Sequence, residues 1–187
     1  MSKSLLIVVF VLFDYILLTA QIQPVVYVGF DTCKVQDKGS LGTVITTIGE
    51  PDCECGLQGE SFDFDGIRDG LVFDSKVNPL FDKDFTIEFY FATYNRYNIT
   101  DILSFKNECS GDSSFSLQYL PTISEIRFFA KGPGLSSIEI DVRLDDSKCW
   151  HHVAIIRDEY EFYLFLDGKI AGQGHADREY FFAKNNN

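Results

Sequence analysis

The stretch Cys149-Trp150-His151-His152-Val153-Ala154-Ile155-Ile156-Arg157-Asp158 (CWHHVAIIRD, residues 149–158) holds the only Trp of the chain and two of its three His. Tandem histidines beside a cysteine suggest a metal centre or a proton carrier. On a β-strand, however, successive side chains point to opposite faces. Trp150, His152, Ala154 and Ile156 then share one face, and His151, Val153, Ile155 and Arg157 the other. The two imidazoles diverge and cannot chelate one ion together, and His175 is the only other histidine. With Trp150, Val153, Ala154, Ile155 and Ile156 behaving as core, the stretch reads as a buried strand and not as a reactive site.

Working outward, the same period of two recurs. Phe85-Thr86-Ile87-Glu88-Phe89-Tyr90-Phe91 sets Phe85, Ile87, Phe89 and Phe91 against Thr86, Glu88 and Tyr90, one face for core and one for water. Phe162 to Leu166 is apolar on both faces and belongs mid-sheet. Asp167-Gly168 is a tight hairpin signal that returns the chain through Lys169-Ile170-Ala171. Further strand-like runs are Val25 to Phe30, Thr43 to Ile48, Ser61 to Asp65, Leu71 to Phe73, Ile102 to Phe105, Ser114 to Leu120, Glu125 to Ala130 and Ser137 to Val142. No stretch sustains a 3.6-residue period over several turns. The fold class expected is all-β, a two-sheet antiparallel sandwich or barrel.

The first residues stand apart. Lys3 precedes nine uninterrupted apolar residues, Leu5 to Phe13, then Asp14-Tyr15 and Ile16 to Ala20. That is the pattern of a signal peptide spanning residues 1–20, with the small Ala20 at the cleavage point. Asp14 in the apolar run argues against a stable membrane anchor, so contact with a membrane is expected only through this segment if it stays uncleaved. Residues 21–59 read as an N-terminal strand and disulfide-tied arm, and 60–187 as the main domain. Cys33, Cys53, Cys55, Cys109 and Cys149 all follow the leader, and in an exported chain they are disulfide candidates. The expected bridges are Cys109–Cys149, and Cys33 with either Cys53 or Cys55. The formal charge of −12 repels phosphate backbones and excludes nucleic acid as a partner.

Four segments in order carry a resemblance: Phe62-Asp63-Phe64-Asp65-Gly66 with Asp69-Gly70-Leu71-Val72-Phe73, Asp84 to Tyr90, CWHHVAIIRD, and Tyr163-Leu164-Phe165-Leu166-Asp167-Gly168-Lys169. As a set over about residues 60–170 they resemble the laminin-G-like or pentraxin-like branch of the concanavalin A-like jelly rolls. The resemblance implies two antiparallel sheets packed face to face, in secreted or cell-surface proteins that bind glycans or proteins, often with calcium. It also implies further C-terminal strands. Here the chain runs Asp177 to Asn187 without the G-x-[IL]-D-[ED] return of such domains, so the jelly roll is expected to lack its C-terminal strands.

The same fold hosts laminarinase-type glycoside hydrolases, whose E-x-D-x-(x)-E strand aims three carboxylates into a cleft. Glu139-Ile140-Asp141 begins that pattern, but Arg143 or Leu144 stands where the second glutamate belongs. Without it no acid protonates the leaving sugar. No catalytic residue is therefore assigned, and the expectation is a non-enzymatic binding or adhesion module, with a carbohydrate-active enzyme or a structural surface component as alternatives. Asp63, Asp65 and Asp69 are the candidates for calcium, the one cofactor the acidic turns would suit, against the reading that they are solvated turn residues. Tyr94, Arg96 and Tyr97 are the candidate ligand-loop residues, for a glycan or an extracellular or cell-surface protein. Asn98-Ile99-Thr100 in the same polar loop is an N-glycosylation triplet.

Overall fold

The computed structural model describes residues 23–93, 97–106, 113–132, 134 and 136–176. Residues 1–20 and the C-terminal run from Asp177 lie outside the described residues, as do Tyr94, Arg96 and Cys109.

The N-terminal described residues form an arm with two small ribbons, which runs past residue 59 as far as Phe73. Strand β1 (Ile45–Ile48) pairs antiparallel with β4 (Gly70–Phe73), and β2 (Asp52–Cys55) with β3 (Glu60–Asp63). A 3-10 helix, Ser75–Asp82, then leads into the sandwich. Strands β5 (Phe85–Phe91), β10 (His151–Asp158), β11 (Glu161–Leu166) and β12 (Lys169–His175) form one sheet in the order β12-β11-β10-β5. Strands β6 (Thr100–Lys106), β7 (Ser114–Leu120), β8 (Glu125–Lys131) and β9 (Ile138–Arg143) form the other in chain order. All pairings are antiparallel. This is the expected two-sheet jelly-roll sandwich.

Alternation builds the core. Phe115 and Leu117 of β7, Ile126 and Phe128 of β8, and Val153 and Ile155 of β10 all point between the sheets and are buried, as are Phe162 and Leu164 of β11. Each such side chain contributes roughly 1.5–3 kcal/mol of transfer free energy. β11 lies between β10 and β12, as its two apolar faces require. At one end of the sandwich Phe81, at the end of the 3-10 helix, packs on Phe85, Phe105 and Phe115 with ring centroids 5.5, 4.9 and 5.1 Å away. On one flank the sheets nearly touch: a Cβ on Gly172 or Gly174 of β12 would run into Cγ2 of Ile140 or Ile138 of β9.

Three expectations needed correction. Val25 to Phe30 is not a strand; only a Val28–Asp37 bridge forms there. The Asp37 carboxylate takes the amides of Tyr27, Gly39 and Thr43 at 2.9, 2.8 and 2.9 Å, so a side chain does the work of a partner strand. β2 was not foreseen, because Asp52-Cys53-Glu54-Cys55 is polar and exposed throughout. β12 runs past Ala171 to His175, through two glycines that weaken strand propensity but are the only residues that fit against β9.

Candidate recognition site

The pairings fix which loops share an end. Phe85 and Phe105 meet Phe115 at the end described above, so Phe91, where β5 stops, and Thr100, where β6 starts, lie at the other. His151 pairs with Phe91 and Thr100 with Tyr119. The β5–β6 loop, the turn after Leu120, the segment 144–150 and the hairpin at Asp167-Gly168 therefore crown the same end of the sandwich.

One carboxylate pins that end. Asp167 and Gly168 both take positive φ, 51° and 74°, the conformation that an Asp-Gly hairpin turn supplies cheaply. The turn aims the Asp167 side chain back at β10. Oδ2 accepts from Lys148 Nζ at 2.6 Å and lies 3.2 Å from His151 Nδ1, while Oδ1 accepts from the His152 amide at 2.9 Å. Burial works to raise the Asp167 pKa, but the hydrogen bonds from Lys148, the His152 amide and His151 outweigh it and hold it at about 2. The group is a structural anchor for the 148–152 segment.

The tandem histidines part as alternation requires. His151 is buried, its ring 5.8 Å from that of Phe91. His152 lies on the outer face, its ring 4.7 Å from Tyr90 and Nε2 3.7 Å from Glu88. Which face points inward was not legible: it is the one carrying His151 and Arg157. Arg157 is only 2% exposed and was missed as a structural residue. Its guanidinium donates to the Phe81 and Glu159 carbonyls, at 3.0 and 3.4 Å, and closes the end opposite the loop end. Its place two residues after Ile155 was the available signal.

Glu139 and Asp141 alternate with buried Ile138 and Ile140 and stand exposed on the outer face of β9. Arg127 of β8 occupies both: its Nε lies 2.7 Å from Asp141 Oδ1 and 3.0 Å from Glu139 Oε1, with Nη2 3.2 Å from Asp141 Oδ2. The Asp141 hydrogen bonds outweigh desolvation and raise the Arg127 pKa. Two open hollows, of about 390 Å³ beside Tyr160 and His175 and about 260 Å³ beside Tyr27 and Lys38, include neither acid.

The Laminin_G_3 model of the concanavalin A-like lectin/glucanases superfamily matches residues 65–187. The chain belongs to this superfamily. No curated protein sequence matches it. Among solved structures, the binding domain of Paraclostridial Mosquitocidal Protein 1 is similar at 14% identity and TM-score 0.68, over 87% of this chain and 42% of that one. The binding domain of botulinum neurotoxin DC is similar in two structures. One, in complex with rat synaptotagmin II, has 13% identity and TM-score 0.60; the other, in complex with SialylT, has 14% and 0.61. Both cover 83% of this chain and 40% of the toxin domain. The concanavalin A-like chain thus spans less than half of each of these domains.

The remaining candidates sit on the arm and loops of this concanavalin A-like fold. Asp65 Oδ1 accepts the amides of Ile67, Arg68 and Asp69 at 2.8, 2.7 and 3.0 Å, which lower its pKa, led by Arg68. Asp69 accepts the Glu50 and Asp65 amides, each at 3.1 Å. Asp63 is exposed on β3, opposite Asp52. Among the described residues these three are not drawn together as a ligand set; the grouping that is close enough is Cys33, Cys53 and Glu60. There the two sulfurs are bonded to each other, which leaves no thiolate for a metal. Of the two partners open to Cys33 the structure takes Cys53, and Cys55 carries an exposed thiol. Cys149 is exposed in the 144–150 segment, while its expected partner Cys109 is outside the described residues. Tyr97, of the three ligand-loop candidates, is 88% exposed.

Proposed function

We propose that this chain is an exported, non-catalytic recognition module whose ligand, a glycan or an extracellular protein, docks at the loop end pinned by Asp167. The observation that carries the reading is the state of the carboxylate pair whose spacing begins the hydrolase pattern. Glu139 and Asp141 are exposed on a sheet face and engaged by Arg127, and Arg143 and Leu144 stand where a third acid belongs. A glycosidase needs an acid free to protonate the leaving oxygen and a second carboxyl across the bond.

The loop end offers what recognition requires: several loop segments gathered on a rigid frame. Exposed Tyr97 supplies an aromatic surface, and the Asp167 anchor keeps the neighbouring segment in place. The synaptotagmin and SialylT complexes of the toxin domains fit ligands of these two classes, although they concern longer chains. A disulfide within the arm fits an oxidising compartment, and among the described residues no helix is long and apolar enough to cross a membrane.

The test is a glycan array and a cell-surface capture assay, each with calcium and with chelator. Binding is expected, weakened about tenfold by Tyr97→Ala for the loss of one aromatic contact. A calcium requirement would bring Asp63, Asp65 and Asp69 back as ligands. Turnover of laminarin that disappears in Glu139→Gln would sink the non-catalytic reading.

A further inference from the structure

The sequence contains a single Asn-x-Ser/Thr triplet without a central proline, Asn98-Ile99-Thr100, and the proposed site makes no use of it. The structure sets it at the mouth of β6, where Thr100 opens the strand. Asn98 is exposed at a bend. The Thr100 hydroxyl donates to the Asn98 carbonyl at 3.3 Å, which holds the two residues of the triplet on one short turn. On either side of Asn98 large side chains stand in water: Tyr97 is 88% and Ile99 65% exposed.

The strand that follows has its own unmet need. β6 is the last strand of its sheet and pairs only with β7 among the described residues. Its other edge presents a row of amides and carbonyls over seven residues. Such an edge invites pairing with another chain, and native β-proteins blunt it with charge, with bulges that twist it away, or with a group that covers it. β6 shows two of these devices already, a register shift between Asp101 and Leu103 and the charged Asp101 and Lys106. A bulky polar group at its head would be a third.

We infer that Asn98 carries an N-linked oligosaccharide, which stands on the Ile99 side of the loop and guards the open edge of β6. The inference rests on the export reading, since the donor is a polyprenyl-pyrophosphate-linked oligosaccharide met in the secretory pathway. The Asn98 amide nitrogen attacks C1 of the first sugar and forms the C–N bond. The C1–O bond breaks, its electron pair leaves with the lipid pyrophosphate, and the amide nitrogen gives up one proton. Because Asn98 belongs to the β5–β6 loop, the oligosaccharide also becomes part of the surface that the loop end offers to ligands.

The full chain, with its own residues 1–20, is expressed in a eukaryotic secretory host and the medium is examined by intact mass before and after an amide-cleaving endoglycosidase. The expected result is one glycan's mass lost on treatment, conversion of Asn98 to Asp, and no shift in secreted Asn98→Gln or Thr100→Ala. The treated protein and Asn98→Gln are expected to self-associate more than the untreated protein by sedimentation. Secreted chain whose mass is unchanged by the enzyme overturns the inference. A chain retained in the cell overturns the export reading instead. Replacing residues 1–20 with the host's own leader then reads Asn98 separately: mass lost on treatment supports the glycan, and unchanged mass overturns it.

Discussion

Between Gln23 and Lys76 a single residue, Thr43, is buried, whereas the sandwich from Phe85 onward gathers fifteen residues from Phe91 to Ala176 into one core. The two regions lie in one chain and are held by different physics. The sandwich is maintained by apolar area removed from water. The arm is maintained by a disulfide and by carboxylates that do the work of missing strands: Asp37 on three amides, Asp65 on three, and Asp74 on the Thr43 hydroxyl and the Val44 amide at 2.6 and 3.1 Å. A carboxylate can organise many amides with few neighbours, but each bond replaces one to water, and the net gain is a small part of the bond's strength. The arm is therefore ordered without being deeply stable.

The largest effect is expected where that contrast is greatest. Phe128 is 1% exposed and packs on Phe162 at 5.7 Å, so Phe128→Ala should cost about 3–5 kcal/mol in chemical denaturation. A loss below about 1 kcal/mol would mean that the sandwich is not the stable half. Next, the Cys33–Cys53 bridge spans 20 residues. Cys53→Ser should remove about 3 kcal/mol of closure free energy from the arm alone. Hydrogen exchange should rise across residues 31–63 and stay unchanged in β7, β8, β10 and β11; uniform loosening would merge the two regions into one cooperative unit.

The smallest effect sharpens the comparison by acid. Asp74, held down chiefly by the Thr43 hydroxyl, and Asp65, by backbone amides, both have lowered pKa values. At Asp37 desolvation pushes upward, but the backbone amides it accepts, led by Tyr27 and Thr43, outweigh it and the pKa is lowered there too. A lowered carboxylate contributes stability above its unfolded pKa and loses it as pH falls toward the folded one. The arm should thus become sensitive to pepsin in acid before the sandwich does. Asp167 extends the test into the sandwich: its contribution is present above pH 3.8 and lost toward about 2. Asp167→Asn should cost about 1 kcal/mol and flatten that acid limb of the stability curve; an unchanged limb would show that the loop end does not depend on this anchor.

The same division explains what could be read from sequence. Local patterns wrote the sandwich: the alternation of β5 and β10, the two apolar faces of β11 and the Asp-Gly turn each place themselves from a few neighbouring residues. The inward choice of the His151–Arg157 face was not local, because the guanidinium is accepted by the Phe81 carbonyl, 76 residues back in the chain. In the arm the contacts that join one segment to another were not local. Asp37 reaches Thr43 and Asp69 reaches Glu50, so these two aspartates act on backbone outside their own turns. The choice of Cys53 over Cys55 turned on β2, which has no hydrophobic pattern to announce it. Glu139 and Asp141 were legible as a pair, but Arg127, their partner from the next strand, was visible only once β8 and β9 were in register.

Gly172 and Gly174 carry one further consequence. Where they meet Ile140 and Ile138 the sandwich is bound like the spine of a book, with no room between the covers for another side chain. Side chains that would thicken the domain are barred at this flank, while the fore-edge beside β5 and β6 has no such glycine contact among the described residues. Diversification of this architecture should therefore be lopsided, with the glycine spine staying thin while the opposite margin grows.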